Sequence, residues 1–229
     1  MKNNVVLKIS GKWLSPENSK VVTGYVEILK KIKDKGVRLA VIVGGGSTAR
    51  NYIDVARAFN VSESWLDLLG IESSRLNALL LVSLLQGYVH PKIPQNIKEF
   101  IDIWYTTDLI VICGGFQPGQ STTSVAALIA EAIGSKLIIN AARVDGVYDK
   151  DPTKYSDAKK FNKITLSKLE KILSTSSSFK AGGYEVIDPL TINILKRAKI
   201  RMRIVYGGDP LNVLRVLEGK EIGTLIIPE

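Results

Sequence analysis

The sequence predicts an α/β protein of three layers, a mostly parallel central sheet with helices on both faces, and three observations carry that expectation. Short apolar runs alternate along the 229 residues with longer segments whose apolar positions recur every three or four residues. That is the pattern of strands joined by crossover helices. The run 37–43 (VRLAVIV) is rich in valine and alternates little, as a strand buried on both faces does. Glycines cluster just after several of the apolar runs, where a parallel sheet presents its ligand loops.

The elements follow in order. A strand is expected at 4–9 and a helix at 17–35, whose end is marked by Gly36. The strand at 37–43 runs into Gly44-Gly45-Gly46 and a helix at 48–59, and an apolar-rich helix at 63–86 stops at Gly87. After Pro94 come a helix at 97–104 and a strand at 109–113, then a helix at 122–133 closed by Gly134. A boundary near Ser135 opens a second half with a strand at 136–139, helices at 165–173 and 186–199, a strand at 202–205, a helix at 211–217 and a strand at 224–227. Apolar spacing and the Gly or Pro at the ends set these limits. We read one domain over 1–229, with halves of about 1–135 and 136–229, no internal repeat, and a mobile loop from the polar run 174–178 through Ala181-Gly182-Gly183.

Composition narrows the function. A net charge of +9 favours anionic ligands, but the basic residues are scattered along amphipathic segments and no nucleic-acid motif with interleaved aromatics is present. Solvated helix faces account for them, and no nucleic acid is expected as a partner. The N-terminus lacks a cleavage site and the longest apolar stretch, 79–85, is too short to span a bilayer. A cytoplasmic protein is expected. One cysteine, Cys113 at the end of an apolar run, and one histidine, His90, leave a zinc site or a histidine-based triad little to build on.

The chemistry lies in loops at predicted strand ends. Gly44-Gly45-Gly46-Ser47-Thr48-Ala49-Arg50 reads as a phosphate site, since glycines let backbone N–H groups approach an anion, the next helix offers its N-terminus and Arg50 adds a cation. A tight strand-to-helix turn would also explain the glycines. Lys8-Ile9-Ser10-Gly11-Lys12 brings a lysine to a strand end, where it is costly to bury without an anion. In Gly114-Gly115-Phe116-Gln117-Pro118-Gly119-Gln120-Ser121-Thr122, one aromatic sits among glycines ahead of hydroxyls that can cap a helix. Arg143-Val144-Asp145-Gly146-Val147-Tyr148, continuing to Asp151-Pro152, and Asp188-Pro189-Leu190 complete the set. Each has a plain turn or cap reading, whereas their joint placement points to a kinase. No P-loop and no dinucleotide glycine motif is present, so distributed glycine loops and cations must handle the phosphates.

These motifs resemble the amino acid kinase superfamily and its fold. Asp67-Leu68-Leu69-Gly70, Arg75-Leu76-Asn77-Ala78 and the loop from Gly114 to Thr122 are similar to those of its archaeal UMP kinases. The resemblance implies in-line transfer from ATP to UMP without a covalent intermediate, with magnesium, in a homohexamer. It implies that Lys8 approaches the transferred phosphoryl group, that the segment Lys8, Ile9, Ser10, Gly11 and Lys12 meets the ATP phosphates, and that Gly45 lies on the UMP side and Gly46 on the ATP side, with Arg50 reaching phosphates between them. Asp67 would accept from the UMP ribose hydroxyls, and Phe116, Gln117, Pro118, Gly119, Gln120, Ser121 and Thr122 would hold uracil and the 5′-phosphate. Tyr148 and Asp151 would meet the ATP base and ribose, and Asp188 would help orient the active-site cations. No residue is assigned as a metal ligand. The chain departs from the family at Ala142-Arg143, where relatives carry Thr followed by Asn, Asp or Lys. Arg143 is expected on the ATP phosphates in place of that hydroxyl, the alternatives being solvent or a pair with Asp145 or Asp149. A different member of the superfamily, acting on a carboxylate, carbamate or isoprenoid phosphate, and a UMP- or ATP-binding regulator are the competing readings.

Overall fold

The structure, a computed structural model, describes residues 4–150, 152, 154–175 and 187–229. Strand β1 (Asn4–Ile9) leads through a short 3-10 turn, Gly11–Leu14, to helix α1 (Ser19–Asp34) and strand β2 (Arg38–Val43). Helices α2 (Gly46–Arg57), α3 (Glu63–Leu84) and α4 (Ile97–Thr106) precede β3 (Val111–Cys113), α5 (Thr122–Ala132) and β4 (Leu137–Ala142). The chain continues through β5 (Val147–Tyr148), β6 (Lys160–Phe161), β7 (Lys163–Thr165) and α6 (Leu166–Thr175). Helix α7 (Pro189–Ala198), β8 (Arg201–Tyr206), α8 (Leu211–Leu217) and β9 (Thr224–Ile227) end it.

Seven strands form one sheet in the order β3-β2-β1-β4-β8-β9-β7. The ladders from β3 to β8 are all parallel, β9 is antiparallel to β8, and β7 is parallel to β9. Strand residues sort by parity into two apolar layers, because successive side chains leave opposite faces. Val5, Leu7, Ile9, Leu39, Val41, Val43, Ile139 and Ala141 pack with α1, α3 and α8. Val6, Ala40, Ile42, Ile138, Met202 and Ile204 pack with α4, α5, α6 and α7. The expected sandwich is therefore present. Helix α5 buries small residues almost all round, Ala126, Ala127 and Ala130 among them, so it lies close over the centre of the sheet, against β1 and β2.

The differences from expectation have local causes. Strand β4 runs three residues past its expected end at 139, because Asn140, Ala141 and Ala142 continue the ladder to β8. Asparagine is a poor strand former, so local propensity stops too early. The short β5, β6 and β7 were not expected, since each is held by pairing with a distant segment rather than by its own pattern. Helix α7 begins at Pro189 after Asp188, an extended N-cap, while residue 186, its expected start, and residues 176–183 of the expected mobile loop lie outside the described residues. Among the described residues, no helix is long and apolar enough to cross a membrane.

The layers fix how closely the loops at the sheet's carboxyl edge approach. A Cβ on Gly11 would overlap the Gly44 carbonyl and the Gly46 amide, and Gly46 itself has a φ of 70°. Backbone on both sides cannot yield as a flexible side chain would. Gly11→Ala should therefore cost about 1–3 kcal/mol of stability, the usual range for overpacking. Chemical denaturation of the variant beside the wild type checks this, and an unchanged midpoint would contradict the close packing.

Candidate active site

Five parallel strands end at the same edge of the sheet, and hydrogen bonds between their exits knit that edge together. The Ser10 amide donates to Ala141 O (3.0 Å), the Gly44 amide to Ile9 O (3.0 Å) and the Gly207 amide to Ala142 O (2.8 Å). Trp13 Nε1, in the turn after β1, also donates to Ala142 O at 3.0 Å. The exits of β1, β2, β4 and β8 are thus held at fixed levels relative to one another by backbone contacts.

Lys8 stands at this edge, in register with Ile42 on β2 and Asn140 on β4. Its ammonium is held down to a pKa of about 8, chiefly by burial and then by the nearby Arg143 guanidinium, with the Asp188 carboxylate opposing both. Desolvation and a like charge both disfavour the ammonium. Arg143 is exposed just past the end of β4. Neither of the pairings considered for it is present: Asp145 Oδ2 takes Lys160 at 2.8 Å and Asp145 Oδ1 takes the Tyr148 hydroxyl at 2.8 Å, while Asp149 Oδ1 accepts from the Lys159 amide. Arg50 is exposed on the first turns of α2. Cations thus gather beside the glycine turns, in an arrangement suited to a phosphate chain.

Next to them is a cavity of about 180 Å³ lined by Gly45, Ala49, Ile53, Asp67, Gly70, Ile71, Gly115, Gln120 and Thr122. Asp67 Oδ2 accepts from the Gly119 amide at 2.8 Å, which ties α3 to the loop 114–122. Ser74 Oγ accepts from the Gly115 amide at 2.7 Å, and Asn77 Nδ2 donates to Gly44 O at 2.8 Å. Phe116 is half-buried against the α4/α5 layer, whereas Gln117, Pro118 and Gly119 form an exposed tip.

A second link crosses between two helix starts. Ser121 Oγ caps α5 by accepting from the Thr123 and Ser124 amides, and its hydroxyl donates to Asp188 Oδ2 at 2.5 Å. Asp188 caps α7 by accepting from the Thr191 amide at 2.9 Å and the Thr191 hydroxyl at 2.6 Å. Two positive helix ends therefore meet through one carboxylate.

Most of the expected site residues converge here. Gly45, Asp67, Gln120 and Thr122 line the cavity, while Ser121 and Asp188 join beside it. Lys8, Ser10, Gly11, Gly46 and Arg143 lie at the strand exits. Ile9 points into the opposite apolar layer, so only its backbone is available, and Lys12 lies 5.0 Å from the centre of the Trp13 ring. The Tyr148 hydroxyl is bound to Asp145, and Asp151 lies outside the described residues. Sequence reasoning assigned no role to Ser74, Asn77 or Thr191. A helical period would have found the first two, because Asp67, Gly70, Ser74 and Asn77 recur every three or four residues and so share one face of α3.

The chain matches the model of the amino acid kinase family over residues 3–206. It is 50% identical to the uridylate kinase of Sulfurisphaera tokodaii over 98% of this chain and 99% of that one, and 45% identical to the uridylate kinase of Hyperthermus butylicus over 98% of each. The crystal structure of the uridylate kinase from Archaeoglobus fulgidus superposes with a TM-score of 0.86 at 35% identity, covering 99% of this chain and 100% of that one.

The geometry at Lys8 gives a pH dependence whose sign follows from linkage. Its pKa falls from 10.5 to about 8 in the folded protein, so between those values the unfolded chain binds the extra proton and stability rises with pH. A ¹³Cε titration of Lys8 should show a midpoint near 8, moving up in Arg143→Ala. A midpoint near 10.5 would contradict this environment.

Proposed function

The chain belongs to the amino acid kinase family, and from that premise we propose that it transfers the γ-phosphoryl group of ATP to UMP, giving ADP and UDP by direct in-line displacement. The observation that carries the reading is a cavity walled by Asp67 and Thr122 that opens onto the glycine turns beside Lys8. The uridylate kinase relatives, similar over nearly the whole chain, support the choice of acceptor.

In this reading the N-terminal half, about 1–135, holds the acceptor and the C-terminal half, about 136–229, the donor. UMP lies in the cavity with its ribose hydroxyls on Asp67 and its base and 5′-phosphate along the loop 116–122, where Gln120 and Thr122 face inward. The ATP phosphates lie over Ser10, Gly11 and Gly46, with Lys12, Arg50 and Arg143 around them, and the base and ribose lie toward Tyr148 and Asp151. Lys8 neutralises charge on the phosphoryl group in flight, which is where a fixed cation gains most over water. The acceptor phosphate is itself the nucleophile, so the chain needs to align and not to attack.

Among the described residues no cluster of three or more His, Cys, Asp or Glu converges. Magnesium fits this site as an ion carried on the triphosphate with its own waters, amid the oxygens of Asp188, Ser121 and Thr191. Bound there, it would neutralise charge on the β- and γ-phosphates. A homohexamer in the cytoplasm completes the reading, supported by exposed apolar residues on α2, the turn after it and α3, with Val55 on α2, Phe59 in the turn at 78% exposure and Trp65 on α3 at 65%. Apolar surface of that kind is buried by another copy of the chain more readily than it is left in water.

A coupled assay with ATP, magnesium and each nucleoside monophosphate tests the acceptor. UMP should be phosphorylated well and CMP and the purine monophosphates poorly, because the polar groups of the loop 116–122 would be left unpaired by the wrong base edge. Comparable turnover of CMP would overturn the assignment. In the same assay Asp67→Ala should raise the KM for UMP and weaken discrimination against dUMP by about 10-fold, the worth of a hydrogen bond to a charged acceptor. An unchanged ratio of UMP to dUMP would remove Asp67 from the ribose.

A further inference from the structure

Among the described residues three buried side-chain atoms have no hydrogen-bond partner, Arg75 Nε, Trp104 Nε1 and Asn140 Oδ1, and only the last is an acceptor, on the strand beside Lys8. Asn140 is 1% exposed, and its Oδ1 has no hydrogen-bond partner. A buried acceptor without a donor is costly, so such an atom points to a partner that arrives later.

Its surroundings identify the donor. Residues in register on neighbouring parallel strands project to the same face, and Asn140 is in register with Lys8 on β1 and Ile204 on β8. Along its own strand the neighbours on that face are Ile138 and Ala142, both in the α5/α7 layer with Ile204. Three sides are apolar, and the fourth is Lys8. Of the hydroxyls at the starts of α5 and α7, those of Ser121 and Thr191 are committed to Asp188 and that of Ser124 to Ser121 O. Lys8 in turn has three N–H donors, and its charge environment is set by Arg143 and Asp188 at a distance rather than by a hydrogen bond.

We propose that Asn140 is a positioning residue for the transfer: its buried carboxamide oxygen takes one N–H of the Lys8 ammonium and turns the other two toward the phosphoryl group. The inference rests on the proposed function for its consequence and on the register of β1 and β4 for its geometry. Lys8 is a long, flexible side chain with a compact charge. A strand-borne acceptor at the same level restricts it to one approach. The charged groups that face it are Arg143 beyond β4 and Asp188 at the start of α7. Helix α5 presents only hydroxyls at its first turn, and β2 presents Ile42.

The test pairs two variants of nearly equal size, Asn140→Leu, which removes the acceptor, and Asn140→Asp, which keeps it and adds charge. In Asn140→Leu, kcat should fall about 10-fold or more with both nucleotide KM values within about 3-fold of wild type, the mark of an interaction made in the transition state. Asn140→Asp should retain more kcat than Asn140→Leu. The Lys8 ¹³Cε midpoint should move down in Asn140→Leu and up in Asn140→Asp, since only the second favours the ammonium more than asparagine does. Wild-type kcat in folded Asn140→Leu, or midpoints that move in the same direction in both variants, would overturn the proposal. If Asn140→Leu does not fold, Asn140→Asp decides through its midpoint: a rise supports the pairing and no change overturns it. Should the wild-type protein phosphorylate no monophosphate, the proposed function fails, while the two midpoints still decide whether Asn140 and Lys8 are partners.

Discussion

Strand β1 is hydrogen-bonded along both edges, to β2 and to β4 in parallel, and this double ladder fixes the level at which the chain leaves the sheet after Lys8. Parallel strands deliver their carboxyl ends to one side, so the exits of β1, β2, β3, β4 and β8 meet there. The approach of Gly11 to Gly44 and Gly46 is a consequence of that register. Larger residues at these positions would push the strand exits apart, and the site would widen at the point where the two nucleotides of the proposed reaction must touch.

Electrostatics within this frame are unbalanced until an anion arrives. Lys8 and Arg143 are near enough for the guanidinium to lower the lysine pKa, a cost that the fold carries through its backbone ladders rather than through local pairing. A phosphate chain would reverse the sign of that interaction for both cations at once. Asp188 moderates the repulsion and also holds the starts of α5 and α7 together through Ser121 and Thr191. One carboxylate thereby connects the loop assigned to the acceptor with the helix on the donor side, so movement of either would be felt by the other.

Helix α3 couples the loops in a different way. Asp67, Ser74 and Asn77 reach successively to Gly119, Gly115 and Gly44 from one helical face. These contacts satisfy backbone groups that would otherwise be left without partners at the end of the sheet. The outer face of the same helix carries Trp65, Leu76 and Leu79 into solvent. Both faces of α3 are therefore constrained, which leaves its sequence without the simple amphipathic pattern of α1, whose buried residues Val22, Tyr25, Ile28, Leu29 and Ile32 form a single stripe.

Much of this was legible in the chain before folding. Alternation of apolar runs and helical periods gave the layers and the parallel core, because both depend on side-chain spacing within a few residues. The loops with Lys8, Gly44, Gly114, Arg143 and Asp188 could be placed at strand or helix boundaries for the same reason. Other features depended on residues far apart in sequence. The extension of β4 through Asn140, the short strands β5, β6 and β7, and the reversal of β9 against β8 come from pairing with distant partners. The solitary oxygen of Asn140 beside Lys8 belongs to the same class, since 132 positions of sequence separate two residues that a parallel ladder sets side by side. Local spacing determines which face of an element is buried, but only the register between elements decides which polar groups meet and which are left without a partner.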